Sequence, residues 1–239
     1  MTLSTAKVIA HTHPTKDIPT KTANEFIAYV ARVSNPSNQD NTETSDKLIN
    51  YLLNHKHFSP FEHYYLTLEI ETPKDISIQL LRHRSFVFQE FSGRYQDINA
   101  MDNPFIIRET RLQDSKNRQN SLQNTDEALD SAWKFAQKEL LRQAQELYKN
   151  ALEQGIAKEV ARSVLPIGLL KSRLYITGNV RSFIHYLTVR LDPTTQKEHR
   201  ELAIAIYDSL LPYFNLDTVK ELKDAKEAQQ ALQDKTKSI

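Results

Sequence analysis

Cysteine is absent from all 239 residues, and glycine occurs only four times, at Gly93, Gly155, Gly168 and Gly178. The first absence excludes disulfides, thiolate metal sites, iron–sulfur clusters and a cysteine nucleophile. The second excludes both glycine-rich phosphate cradles, because these scattered glycines spell neither GxGxxG nor GxxxxGKS/T. No apolar run approaches the roughly 18 residues that a membrane helix requires. The opening MTLSTAKVIAHTH lacks the basic-then-apolar order of a secretory leader, so the cytoplasm is the expected location. An excess of one charge is missing too: 31 Lys and Arg against 30 Asp and Glu leave a net charge of +1. General nucleic-acid binders carry a basic excess, because phosphate neutralisation drives their affinity. Any nucleotide held here must therefore be held by local arginines, hydroxyls and helix N-termini.

What is present is a globular balance, 39% hydrophobic and 26% charged, in a chain long enough to bury a core without staples. Residues 6–12 read as a strand. Thr22 caps a helix to about Val33 with Phe26, Ile27, Val30 and Ala31 inward, and a second helix fits residues 45–55. Residues 64–71 alternate as a strand. Thr72 and Pro73 then read as the cap and first position of a helix running into Arg82, His83 and Arg84. The segment after Phe86 looks extended, with residues 105–110 as its pairing partner, and residues 113–124 read as a mobile loop. Thr125 opens a long helix ending near Gly155, with Leu129, Trp133, Ala136, Leu140, Ala144, Leu147 and Leu152 as its apolar stripe. A shorter helix to Leu165, a strand over 170–177, a helix capped by Asn179 and another over 195–211 complete the chain. The pattern is α+β rather than repeated βαβ. It is expected to form one domain over 1–215, followed by a charged C-terminal helix or tail over 216–239.

Three polar clusters stand out. Arg82-His83-Arg84 runs into FVFQEF and then Ser92-Gly93-Arg94-Tyr95; arginine forks bind phosphate and stack on flat rings. A second cluster is His55, His57, Ser59, Glu62 and His63. Its spacing lacks HExxH and Pro60 interrupts it, so no metal is expected, and His55 alone reads as a helix-end cap. The third comprises Glu159, Arg162, Asn179, Arg181, Ser182, His185 and Arg190. At about 100° per residue, Arg181 and His185 share one helix face and Arg190 lies on the opposite one. Arg162, set among Ala161, Val164 and Leu165, calls for a partner, either Glu159 or a ligand phosphate.

Together these clusters resemble the flavin-dependent thymidylate synthase family. Its signature RHRxxSxxxxSxR reads here RHRSFVFQEFSGR, from Arg82 to Arg94, with Val87 in place of the first serine. HxSPxEH matches His57 to His63, ARxVLP matches Ala161 to Pro166, ARVS matches Ala31 to Ser34, and NxRS…R matches Asn179, Arg181, Ser182 and Arg190. His185 stands where some relatives have asparagine. The resemblance implies a central, mostly antiparallel sheet flanked by helices, and methylation of dUMP to dTMP. It also implies 5,10-methylenetetrahydrofolate as carbon donor, tightly bound FAD carrying the hydride, and NADPH as reductant. By the same resemblance, Arg190, His57 and Ser92 are candidate catalytic residues. Gln79, Arg82, Glu90, Ser92, Gly93, Arg94, Arg162 and Arg190 would contact dUMP. Ser34, Ser59, Glu62, Arg82, His83, Arg84, Glu90, Asn179, Arg181 and His185 would contact the flavin. A homotetramer with active sites shared between subunits is implied, with no metal, nucleic acid or membrane partner.

Three other readings of the same residues stand beside it. The RHR segment and its aromatics could stack on nucleic-acid bases, against which the near-neutral charge counts. His55, His57, Glu62 and His63 could serve a metal-dependent hydrolase. A family member could also retain flavin without synthase activity, for which Val87 is the hint.

Overall fold

The computed structural model describes residues 3–216, 219 and 222–228. The strands are β1 (Thr5–His11), β2 (Tyr65–Pro73), β3 (Val87–Glu90), β4 (Arg111–Gln113), β5 (Ser121–Gln123) and β6 (Lys171–Asn179). The α-helices are α1 (Ala23–Ala31), α2 (Ser45–Asn54), α3 (Lys74–Leu80), α4 (Glu127–Glu153), α5 (Lys158–Ala161), α6 (Val180–Arg190) and α7 (Lys197–Leu210). Helices and antiparallel strands make up the expected α+β class. A four-stranded sheet has the order β1-β2-β6-β3, and β4 pairs with β5 in a separate hairpin. In β2 and β6 buried and more exposed positions alternate, as the period of two in the sequence predicts.

The chain divides into two compact units: residues 71–82 and 89–174 with Leu3 and Ser4, and residues 5–70, 83–88 and the described residues from 175 onward. In the first unit, Ala144 and Tyr148 of α4 pack with Ile98, Ala161, Leu165 and Leu170. The Ile98 amide donates to the Tyr148 hydroxyl at 3.3 Å, which ties the chain just after Ser92-Gly93-Arg94 to the long helix. Gln137, also on α4, is buried and satisfies both backbone groups of Arg108, accepting from its N–H at 2.8 Å and donating to its carbonyl at 2.9 Å.

Several expectations for this unit are corrected. Residues 105–110 do not pair with the segment after Phe86; Phe105 bridges Leu170 instead. The expected loop at 113–124 instead holds β5 and the turn by which it pairs back on β4, with Leu112 opposite Leu122; strands of three residues with one leucine each are too short to announce themselves by alternation. Asp126, not Thr125, caps α4 by accepting from the Leu129 amide. The apolar stripe of α4 faces outward over most of its length. Leu129, Trp133, Leu140 and Leu147 are exposed, while the buried positions are Gln137, Leu141, Ala144 and Tyr148. Thr72 does not cap α3: β2 continues through Pro73, and the buried Thr72 hydroxyl lies 2.9 Å from that of Ser4. Helix α3 stops at Leu80, so Arg82 follows it.

In the second unit, α1 opens with a full capping box in which the Thr22 hydroxyl accepts from the Glu25 amide and the Glu25 carboxylate accepts from the Thr22 amide. Helix α1 packs on α2, and α7 on α6 and β1. Ile27, Ile49, Phe61, Leu66, Ile176, Phe183, Leu187, Leu202 and Ile206 are buried there. Arg84 lies in a turn before β3 rather than on a helix. Residues 222–228 are helical, and the rest of the expected segment beyond Leu216 lies almost wholly outside the described residues. No helix among the described residues is long and apolar enough to cross a membrane.

Candidate active site

In the first unit, β3 delivers the second half of the RHR segment. Glu90, at the end of that strand, is held by protein rather than left open. Its Oε1 accepts from Ser77 Oγ at 2.8 Å and Ser172 Oγ at 2.6 Å, and its Oε2 lies 2.7 Å from Lys74 Nζ. Burial by itself would raise its carboxyl, but the bonds from Lys74, Ser172 and Ser77 and the Lys74 charge together hold it below the ordinary value. Its side chain thus locks β3 to α3 and β6.

After Glu90, the Phe91 amide donates to the Arg173 carbonyl at 2.9 Å, and the chain turns outward through Ser92, Gly93 and Arg94. Ser92, Arg94, Tyr95, Ala157, Lys158 and Glu159 line an open groove of about 360 Å3. Arg94 pairs with Glu159 at 3.3 Å, and Lys158 Nζ donates to the Tyr95 carbonyl at 3.2 Å. Both members of the Arg94–Glu159 pair are more than half exposed. Such a pair contributes at most about 1 kcal/mol, so an incoming phosphate can compete for Arg94. Gly93 is buried, and a Cβ there would meet Ile98 Cδ1 at 2.8 Å and Arg162 Cδ at 3.5 Å, which places the Arg162 stem against the same turn. Arg162 is exposed, and Glu159 is engaged with Arg94. The buried charge expected at Arg162 is therefore not there. Ser92 and Arg94 thus share the groove, with the Arg162 stem beside the Gly93 turn between them, a set of one hydroxyl and two cations suited to an anion. Gln79 lies on α3, and Arg82 is exposed just beyond it.

In the second unit, α6 positions the third motif. Asn179 caps it, its Oδ1 accepting from the Ser182 amide and hydroxyl at 2.9 Å each. Arg181, in the first turn, pairs with Glu62. Both are about half exposed, so this pair too can be exchanged. His185 is exposed one turn on. Arg190, at the other end and on the opposite side, donates from Nε to His83 Nε2 at 3.0 Å. Burial, then the charges of Arg190 and His185, push His83 down to about 4. Behind it, Tyr186 and His199 are fully buried. Burial, then Arg190 and His83, push His199 down to about 3. These two residues escaped sequence reasoning, because a histidine or tyrosine on an apolar helix face carries no distinguishing signal; Lys158 escaped because only its neighbours matched a motif.

The His57 cluster divides. His55 caps α2, its Nδ1 donating to the Tyr51 carbonyl at 2.8 Å. His57, Ser59 and Ser34 are exposed, and Arg84 is exposed as well. Among the described residues, no three His, Asp or Glu side chains are placed to hold a metal ion. Val87 is 72% exposed, so the missing signature serine is a surface position rather than a packing one. The donor set suits an anionic dinucleotide: exposed Arg84 and His185, an exchangeable Arg181, and the N-terminus of an 11-residue helix.

The sequence model of the family described as "Thymidylate synthase complementing protein" matches residues 16–214. A protein of Paramecium bursaria Chlorella virus 1, named "Probable flavin-dependent thymidylate synthase", is 45% identical over 87% of this chain and 94% of its own length. The "Flavin-dependent thymidylate synthase" of Synechocystis sp. is 47% identical over 79% of this chain and 85% of its own. Among solved structures, a UMP/dUMP methylase PolB from Streptomyces cacaoi bound with 5-Br dUMP has the same fold. It gives a TM-score of 0.76 and 24% identity over 94% of this chain and 96% of that one. The chain belongs to the thymidylate synthase complementing protein family, that of the flavin-dependent thymidylate synthases.

Proposed function

We propose that this protein converts dUMP to dTMP, taking the carbon from 5,10-methylenetetrahydrofolate. The observation that carries the reading is 45 to 47% identity to proteins named flavin-dependent thymidylate synthase along 85 to 94% of their length. A bound FAD would supply the hydride at the pyrimidine, with NADPH as its reductant. Everything else falls to residues that bind, orient and polarise, which suits a chain without cysteine. Arg94 and Arg162, with Ser92 and the Gly93 turn, bind the dUMP phosphate, and Gln79 and Arg82 orient the nucleotide. Arg190 donates to a uracil carbonyl and stabilises the charge that builds on the ring. Arg84, Arg181, His185, Asn179, Ser34, Ser59, Glu62 and His83 would hold the flavin, and His57 would serve the flavin and folate. Glu90 acts through its backbone and its lock on β3, since its carboxylate is already satisfied.

Residues 1–215 act as one catalytic domain, in a cytoplasmic homotetramer whose subunits share active sites; nucleic acid and membrane are not partners. The outward apolar stripe of α4 supports such an assembly, because an exposed row of Trp133, Leu140 and Leu147 calls for cover. The purified protein should be yellow, dUMP should perturb its flavin spectrum, and dTMP should form when folate and NADPH are added. Colourless protein that cannot be reconstituted with FAD would sink the assignment.

A further inference from the structure

We infer that His83 is a positioning residue for Arg190: its imidazole fixes the roll of the guanidinium and leaves the far edge of that group to face a ligand. The inference rests on the placement of Arg190 at the pyrimidine. A guanidinium can only donate, so the 3.0 Å contact between Arg190 Nε and His83 Nε2 makes the imidazole the acceptor. His83 is therefore neutral and carries its proton on Nδ1. Using Nε leaves both Nη groups, the edge suited to a planar carbonyl-bearing ring, to donate outward.

The imidazole is held so that it can direct its partner. The ring of the fully buried Tyr186 meets it edge-on with centroids 4.9 Å apart and planes at 81°. His199, equally buried, stands at 6.3 Å and 88°. The Phe86 amide donates to the His83 carbonyl at 3.2 Å, which fixes the backbone that carries the ring. The charged and titratable groups around it are Arg190 and His185 on α6, Tyr186 on the same helix, and His199 on α7. A second positive charge on His83 would face the guanidinium and turn the acceptor into a donor. An arginine with no fixed acceptor samples several rotamers, and misplacement by about 1 Å costs on the order of 100-fold in rate.

The test uses the whole FAD-loaded protein and the variants His83→Phe, which keeps a ring but cannot accept, and His83→Gln, whose side-chain carbonyl can. Arg190→Ala is the reference. His83→Phe should lower kcat per bound flavin roughly 10- to 100-fold, with the KM for dUMP close to wild type, and His83→Gln should recover most of the loss. Should His83→Phe fail to fold, His83→Asn, too short to reach Nε, takes its place. In the wild-type protein, 15N spectra of the imidazoles should show His83 as the Nδ1–H tautomer. Equal losses per bound flavin in the Phe and Gln variants, or an Nε2–H tautomer, each overturn the inference. Full activity of His83→Phe beside a dead Arg190→Ala overturns it while leaving the underlying reading intact; a fully active Arg190→Ala removes that reading itself.

Discussion

Arg190 and Glu90 are both polar groups near the middle of the chain's motifs, yet they differ in what they have left to give. Glu90 has both oxygens occupied by Lys74, Ser77 and Ser172, whereas Arg190 spends Nε on His83. Arg190→Ala should therefore lower kcat by about 100- to 1000-fold while the flavin is retained, as steady-state assay and absorbance would read. Glu90→Ala should cost about 3 kcal/mol in urea unfolding, because it strands a partly buried lysine and two hydroxyls. One buried and one part-buried histidine make an acid-side prediction. His83 and His199 lie near 4 and 3 in the folded protein against an ordinary 6.5, so the unfolded chain binds protons first as pH falls. Their stabilisation is complete above about 6.5 and is lost as pH falls toward the folded values. Glu90, whose folded value is lowered, loses its contribution as pH drops below its ordinary 4.5. Calorimetry from pH 7.5 downward should show Tm falling below about 6.5, and His199→Phe should flatten that slope; an unchanged slope would count against it.

At the scale of elements, Gly178 shows how closely β6 approaches its neighbour. A Cβ there would meet Phe86 Cδ1 at 2.4 Å and Cε1 at 2.6 Å, and a ring edge cannot give way as a flexible chain end can. Gly178→Ala should destabilise by about 1 to 3 kcal/mol, measured by denaturant titration. Gly93→Ala should cost less, since its nearest neighbour is the methyl end of Ile98. The helices that were legible in the sequence are those whose signals are local. Thr22 with Glu25 writes a capping box, and Asn179 writes a cap bonded to Ser182. The strands β2 and β6 were legible because they alternate. What the sequence left open depends on partners. Periodicity found an apolar stripe on α4 but could not tell which side the rest of the unit would cover, and Gln137 took a buried place because Arg108 had backbone groups to satisfy. The β4–β5 hairpin has strands of three residues with one leucine each, Leu112 opposite Leu122, too short a run for a hydropathy pattern to register. At the candidate site, the motif spacing put Ser92, Arg94 and Arg162 in one list. The pairing of Arg94 with Glu159, and the seat of His83 before His199, are tertiary facts.

For the whole molecule, the unburied row on α4 and the near-neutral charge act together. A net charge of +1 gives little mutual repulsion between copies, and Trp133, Leu140 and Leu147 give them something to bury. Light scattering should report a tetramer, and the double variant Trp133→Glu, Leu140→Glu should yield a smaller species that forms no dTMP. A variant that stays tetrameric would move the interface elsewhere. Trp133 is also the sole tryptophan of the chain, and it is 49% exposed on that row. Its indole is thus a resident reporter of whatever lies over the helix. On serial dilution its fluorescence maximum should move to longer wavelength as copies part and water reaches the ring, and Trp133→Phe should be dark at that wavelength, so assembly can be followed without attaching a dye.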